Sequence, residues 1–332
     1  METAIQKNQV PQKPKKAKKT KIKLTPEQKK KQLKKMAGMW QLYALLILPF
    51  IYFLVFHYFP MYGAQIAFKD YLTVEGVWGS PWVGLKHFER FINSGKMWEL
   101  VRNTLSISLY ALFMGLPFPV LLALMFRYIP FKRYGKFIQS VTYAPHFISV
   151  VVMAGIVVEA LNPRGGMIDT ILGIFGGDWE INLMGIPEAF SSVYVWSGIW
   201  QNMGFGAIIY CAVLASVDTT YHEAAMVDGA TMFQRIWHID IPFLIPQVVL
   251  NLILGMGNVL NVGFEKALLL QNTLNASKSE MISTYVYKMG IAASLPDVSY
   301  TTAIGLFKSA IAFILVIVVN KIARKYGEMS IW

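Results

Sequence analysis

The sequence lacks the residues and motifs on which most catalytic or metal sites are built. It has one cysteine, Cys211, so it can form neither an intrachain disulfide nor a metal site of several cysteines. It contains no G-x-x-x-x-G-K-[ST] nucleotide-binding loop and no G-x-S-x-G hydrolase motif. His222 and His238 lie sixteen residues apart, so we expect surface or interface residues rather than metal ligands. We therefore predict no catalytic centre, no metal and no bound cofactor on this chain.

Charge is scarce outside the N-terminus. Charged residues make up only 15% of the chain, and residues 1–39 hold thirteen lysines and two glutamates. We interpret residues 1–38 as a disordered, Lys-rich cytoplasmic tail near anionic lipid. A nucleic-acid-binding arm would need a DNA- or RNA-binding domain, and none follows, so we expect no nucleic-acid partner.

What the sequence has in abundance is long apolar runs. The hydrophobic fraction is 55%, and runs of about twenty apolar residues predict an all-α polytopic membrane protein. We expect a kink at Pro117 and Pro119 in the second span. The third span contains Pro145, and a polar loop of about forty residues precedes the last span. The six predicted spans lie at about 40–59, 104–126, 137–161, 193–216, 243–262 and 303–323.

The basic tail orients the first span, so six spans place both termini in the cytoplasm. The short basic loop at 127–136 and the charged segment at 218–242 then lie on the same, inner side. We divide the chain into the tail (1–38), a first span with an extracytoplasmic loop (39–99), a transmembrane domain (100–322) and a C-terminal tail (323–332).

Residues 218–246 form the one charged, amphipathic segment between two apolar runs. Thr220 and Glu223 have the spacing of a capping box that starts a helix. Gly229 then fits a bend or the residue after a helix end. A second short helix, at about 231–240, would carry Phe233, Ile236 and Trp237 on one face. The segment predicts a helix-turn-helix elbow outside the bilayer, and its excess of acidic residues disfavours a helix lying on lipid.

The spacing within this elbow resembles that of a known family. Glu223, Ala224 and Ala225 are followed after three residues by Gly229, and after nine more by Ile239, Ile241 and Pro242. This resembles the EAA-x3-G-x9-I-x-L-P loop of type I ABC importer permeases, with Ile241 where leucine is usual. The resemblance covers about 100–322 and implies that fold.

In that family the loop docks as a coupling helix on a separate ATPase. The resemblance therefore implies two cytoplasmic ATPase subunits, which would bind ATP and Mg, and a second, homologous permease subunit. Small alanines permit close approach, and a stiff helix transmits displacement to the spans. The residues assigned to the ATPase contact are Glu223, Ala224, Ala225, Asp228, Gly229 and Arg235.

A narrower resemblance lies outside the elbow. Residues 40–43, 59–63, 66–71, 82–84, 263–266, 270–272, 283–288 and 320–325 are similar to permeases that import oligosaccharides and polysaccharide fragments. This implies a carbohydrate substrate and an extracytoplasmic sugar-binding lipoprotein, in a bacterial cytoplasmic membrane. The alternatives are an ABC permease for a peptide or amino acid and a membrane-embedded enzyme. The enzyme would need a side-chain constellation that we do not find.

Polar and aromatic residues within the predicted spans are candidates for the substrate path. Sugars stack on aromatic rings and form many hydrogen bonds, and polar groups in a span face a cavity or another helix. Asn251 and Asn258, seven residues apart, would share one helix face. The candidates are Tyr194, Trp196, Trp200, Gln201, Asn202, Asn251, Asn258 and Asn261. For each residue, helix packing is the competing interpretation.

Overall fold

The computed structural model describes residues 26–261 and 263–327. The chain divides into two units, before and after the Tyr62–Gly63 bond. In the first unit, a helix at Pro26–Gly38 is followed by Trp40–Phe53, which continues through Leu54–Tyr58 into Phe59–Met61. The helix at Pro26–Gly38 differs from the irregular tail expected there. Residues 1–25 of that predicted tail lie outside the described residues.

The second unit is helical as well, and no strand occurs in the described ranges apart from one isolated bridge between Lys69 and Trp82. Its α-helices of seven or more residues are Lys86–Ile92, Lys96–Gly115, Pro117–Tyr128, Lys132–Tyr143, Val150–Ala160, Met167–Ile174, Phe190–Ala215, Thr219–Val227, Ile241–Gly257, Phe264–Leu270, Ile282–Gly290 and Val298–Gly327. Shorter pieces include Met232–Arg235 and turns at Tyr62–Phe68 and Ala144–Phe147.

Within the described residues, five helical stretches are long and apolar enough to cross a membrane, and a bent pair brings the number to six. We name them span 1 (Trp40–Phe68), span 2 (Lys96–Tyr128), span 3 (the pair Arg133–Phe147 and Val150–Ala160), span 4 (Pro187–Ala215), span 5 (Met232–Gly257) and span 6 (Val298–Lys321). The predicted fold class, an all-α polytopic membrane protein, is confirmed. The side on which the termini lie stays a prediction.

Span 3 is not the single helix predicted for 137–161. Its two halves meet at 101°. Pro145 is the second residue of a 3-10 turn at Ala144–Phe147, and Ile148 and Ser149 are extended. The Ser149 side chain accepts a hydrogen bond from the Val152 N–H. The proline interrupts one helix, and Ser149 caps the start of the next. The predicted kinks at Pro117 and Pro119 are milder, because Leu116 keeps helical dihedrals between the two halves of span 2.

Span 4 is the centre of the second unit. Tyr194, Val195 and Ile199 are buried against residues of span 2 and span 3, and Ala207, Tyr210 and Leu214 are buried against span 2 and span 5. Gly204 lies against the backbone of Thr142, so a Cβ there would overlap the Thr142 carbonyl. The absence of a side chain is what allows the bent span 3 to approach.

The segment between spans 5 and 6 folds back into the core, whereas the sequence suggested a polar loop. Ala267, Leu270 and Met281 from this segment are buried with residues of span 4. Its short helices carry enough apolar residues for burial, but each is too short to be recognised as a buried helix from the sequence alone. Span 5 also ends at Gly257, earlier than predicted.

Candidate functional site

The elbow helix begins two residues earlier than the capping box predicted. The helix is Thr219–Val227, and its N-cap is Asp218, whose Oδ1 accepts a hydrogen bond from the Thr220 N–H at 3.0 Å. This backbone hydrogen bond lowers the pKa of the exposed Asp218 carboxyl. The proposed pair of Thr220 and Glu223 is therefore not the cap. An aspartate at the N-cap accepts a hydrogen bond from a free backbone N–H of the first turn. It also places a favourable negative charge at the helix N-terminus.

Gly229 ends the elbow helix as predicted. Its φ is +78°, in the left-handed region. The Ala230 N–H donates to the Ala225 carbonyl at 2.8 Å, and the Gly229 N–H donates to the Met226 carbonyl at 3.1 Å. These two bonds form a Schellman motif, which closes a helix with a glycine just beyond it. The chain thus reverses over very few residues.

The second part of the elbow is continuous with span 5. Thr231 and Gln234 form the capping box that starts it, and a π-helical turn at Ile236–Asp240 joins it to Ile241–Gly257. The separate helix predicted at 231–240 is thus the first part of span 5. A proline at the second position of Ile241–Gly257 is tolerated, so Pro242 marks no break. One continuous helical stretch, Met232–Gly257, consequently runs from the elbow into span 5.

The outer surface of the elbow is exposed and largely apolar. Glu223, Ala224 and Asp228 are exposed, and Ala225 is half-buried. Val227, Phe233 and Trp237 are 87%, 76% and 69% exposed. Large exposed apolar side chains are typical of a docking surface. Between the elbow's two helices lies a recess of about 320 Å³, lined by Ala225, Asp228, Gly229 and the half-buried Arg235 among others.

Asp240 connects the elbow to the ends of two other spans. We call Arg127, Tyr128, His222 and Asp240 the Asp240 cluster. Asp240 is 0% exposed. Its Oδ2 accepts a hydrogen bond from the Tyr128 hydroxyl at 2.6 Å, and its Oδ1 lies 3.2 Å from Arg127 Nε. Arg127 also donates to the Leu214 carbonyl at the end of span 4. Spans 2, 4 and 5 are therefore joined at one side of the membrane.

His222 connects the elbow helix to the same cluster. Its Nε2 lies 2.9 Å from Arg127 Nη2 and 3.3 Å from Asp240 Oδ1. Because the guanidinium can only donate, the shorter contact fits a neutral imidazole that accepts at Nε2 and carries its proton on Nδ1. His222 is buried in this cluster. The described residues contain no group of three His, Cys, Asp or Glu that could hold a metal ion.

A large cavity lies along span 4 and has a volume of about 750 Å³. Tyr194, Gln201, Asn202 and Asn261 from the predicted path line it. Asn202 Oδ1 lies 2.9 Å from His146 Nδ1, and Gln201 Nε2 donates to the Ile148 carbonyl at 3.0 Å. Sequence reasoning missed the segment 263–266, which closes the same cavity.

The other predicted path residues lie elsewhere. Trp196 and Trp200 border a separate apolar recess of about 420 Å³ next to span 3. Asn251 donates to the Tyr210 hydroxyl at 2.9 Å, between spans 5 and 4. Asn258 follows the end of span 5 and is exposed, so it does not extend the helix face of Asn251 as the spacing suggested. Their contribution to a path stays a prediction.

Comparison with known proteins decides the family. Residues 101–328 match the model of the binding-protein-dependent transport system inner membrane component family. The chain belongs to this family. It is therefore a multi-pass permease subunit of the cytoplasmic membrane and is not itself an enzyme.

Individual relatives of this permease subunit support the same family assignment. It is 40% identical over 288 residues to the polygalacturonan/rhamnogalacturonan transport system permease protein YteP of Bacillus subtilis, covering 86% of this chain and 89% of the relative. It is 38% identical to protein LplB of the same organism, over 86% and 90% of the two chains.

A solved structure also matches. A chain from the crystal structure of a bacterial ABC transporter involved in the import of the acidic polysaccharide alginate superposes with a TM-score of 0.80 and 36% identity, covering 90% of this chain and 99% of that chain. A second crystal structure of that transporter contains a periplasmic protein bound to an alginate pentasaccharide. The type I ABC importer permease fold predicted from the elbow motif is confirmed.

Proposed function

We propose that this permease subunit carries an oligosaccharide across the cytoplasmic membrane by alternating access. ATP and Mg would be bound by two separate ATPase subunits, and a second, homologous permease would complete the pore. An extracytoplasmic sugar-binding lipoprotein would deliver the substrate. The relatives support this, because YteP is named for polygalacturonan and rhamnogalacturonan transport and the matching transporter imports alginate.

The observation that carries the mechanism is the Asp240 cluster. The ATPase would contact the exposed elbow at Glu223, Ala224, Ala225, Asp228, Gly229 and Arg235. A displacement there would reach span 5 through the continuous helix, and would reach spans 2 and 4 through Asp240 and Arg127. Elements packed in this way switch between discrete arrangements rather than deforming gradually. ATP-driven movement of the elbow would thereby open the cavity to one side at a time.

The cavity suits a sugar better than a peptide. Its wall carries the amides of Gln201, Asn202 and Asn261, which can form hydrogen bonds with sugar hydroxyls. Pockets of about 300–1,000 Å³ with a few polar groups among apolar walls are the usual size and character of small-molecule sites.

The experiment that tests this function uses the complex of both permeases, the ATPase and the binding protein in liposomes. Oligosaccharides should stimulate ATP hydrolysis, whereas di- and tripeptides and amino acids should leave it at the basal rate. Asn261→Ala should raise the half-maximal saccharide concentration about threefold to tenfold, since a hydrogen bond contributes roughly 0.5–1.5 kcal/mol.

The control for Asn261→Ala is Asn93→Ala, because Asn93 is exposed in the segment before span 2. It should keep the wild-type concentration dependence. Stimulation by peptides and not by any saccharide would contradict the proposal.

A further inference from the structure

Lys266 is a buried cation in the wall of the large cavity. It belongs to the short helix Phe264–Leu270 and is 7% exposed. Its Nζ donates a hydrogen bond to the Tyr194 carbonyl at 2.9 Å and lies 4.8 Å from the centre of the Tyr194 ring. The side chain is thus held against span 4, in the wall of this cavity.

Lys266 has no acidic partner within the described part of the chain. In residues 26–261 and 263–327, each ion pair within 4.0 Å is formed by a basic residue other than Lys266. Glu265 lines the same cavity, but it is exposed and lies beyond that distance. Successive residues of a helix point about 100° apart, which separates the two side chains.

A buried ammonium without a counter-ion is costly, and such groups are usually paired. Burial lowers the pKa of Lys266 to about 8, so the ammonium form still predominates at pH 7. The hydrogen bond to the Tyr194 carbonyl and the nearby ring compensate only in part. The site is therefore one that an anion entering the cavity would stabilise.

The surroundings of Lys266 indicate which anion fits. A single ammonium suits a monoanion, and the Asn202 and Asn261 amides in the same cavity wall suit the hydroxyls of a sugar. A carboxylate on a sugar ring satisfies both requirements at once. Charge-assisted hydrogen bonds of this kind are about twice as strong as neutral ones.

We propose that the cavity accepts oligosaccharides that carry carboxylates, and that Lys266 Nζ binds one such carboxylate. This inference rests on the proposed function as an oligosaccharide permease and names the chemical class of its substrate. Lys266 thereby selects uronate-containing oligomers over neutral ones of the same length.

The first test compares oligogalacturonates with their methyl esters, which have the same rings without the charge. In the reconstituted complex, Lys266→Gln keeps an N–H group on a side chain one atom shorter and loses the charge. We expect it to raise the half-maximal oligogalacturonate concentration for stimulated ATP hydrolysis at least tenfold and to leave the methyl-ester value within about twofold. Lys136→Gln, at an exposed lysine of span 3, should leave both values unchanged.

The outcomes of this first test are separable. Equal shifts for acid and ester would show that Lys266 only supports the fold, and would overturn the inference. Stimulation of the wild type by neutral saccharides and not by uronates would also overturn it while leaving the proposed function intact. Stimulation by no saccharide at all would contradict the proposed function itself.

A second test uses the wild-type complex and needs no variant. A water-soluble carbodiimide activates the uronate carboxylate, and an amine within contact distance displaces the activating group to form an amide. Mass spectrometry should find the oligogalacturonate attached to Lys266, and an excess of unactivated oligogalacturonate should reduce this labelling more than tenfold. Attachment to surface lysines with none at Lys266 would overturn the inference.

Discussion

Asp240→Asn is expected to lower saccharide-stimulated ATP hydrolysis and uptake by at least tenfold. The carboxylate is fully buried, and its loss leaves Arg127 facing a neutral amide. Removing one partner of a buried ion pair costs about 3–5 kcal/mol. Because the Arg127 side chain is 21% exposed, we expect a free-energy cost near the lower end of that range. The elbow would then detach from spans 2 and 4, so that ATPase motion no longer reaches them. The measurement is ATP hydrolysis and uptake in the same liposomes.

Two further variants make the Asp240→Asn result specific. Asp178→Asn removes an exposed carboxylate far along the chain from the elbow and should behave as wild type. Arg127→Gln combined with Asp240→Asn removes both charges, so the double variant should regain part of the lost coupling. Wild-type uptake by the single Asp240→Asn variant would show that the cluster does not transmit motion.

Gly229→Val is expected to abolish uptake while both permeases still assemble. A left-handed conformation costs a residue with a Cβ about 1–2 kcal/mol, and more for a β-branched side chain. The Schellman bonds at Ala230 and Gly229 would open, and the Glu223–Ala225 surface would turn away from the ATPase. Uptake and co-purification of the ATPase with the permease pair measure this directly.

Gly176→Val is the matched control for Gly229→Val. Gly176 also has a φ of +78°, and a Cβ there likewise meets no atom within 4 Å. It follows the helix Met167–Ile174, outside the elbow. The same local strain at Gly176 should reduce uptake by less than twofold. Equal losses for the two variants would contradict a specific role of the elbow.

The elbow was the part of the site best predicted from sequence, because its spacing is fixed by local geometry. Gly229 was assigned correctly, since a helix end with positive φ favours glycine. The helix start was assigned to Thr220 and Glu223, although Asp218 provides the cap. Several residues in this stretch can cap a helix, and sequence alone does not rank them. The assignment of the elbow residues to the ATPase contact remains a prediction.

The Asp240 cluster could not have been predicted from the sequence. Arg127 and Asp240 are 113 positions apart, and a lone aspartate in an amphipathic segment suggests a solvated residue. Only the meeting of three span ends makes it a buried partner for Arg127. The sequence offers only a weak clue, an aspartate directly before an apolar span, where a buried carboxylate would need a partner.

Two elements were misassigned for a common reason. The bend in span 3 combines a local break at Pro145 and Ser149 with a tertiary contact. The folded segment at 264–290 depends on tertiary contacts, and hydropathy reports neither feature. The absence of a side chain at Gly204 leaves room for the backbone of span 3. Ala267 and Leu270 are buried beside span 4. Lys266 was likewise placed in a polar loop, although it lies in the cavity wall. The apolar runs thus predicted the positions of the spans but not the segments that pack between them.

Crosslinking the elbow to the ATPase tests the central claim most directly. Cys211 is the only cysteine, so Cys211→Ser with Ala224→Cys leaves one thiol, at an exposed elbow position. A short bifunctional maleimide should join this thiol to a cysteine scanned along the ATPase surface, in a yield that changes when ATP is added. An impermeant maleimide applied outside intact cells should leave the thiol unlabelled. Labelling from outside, with no crosslink to any ATPase position, would contradict the account.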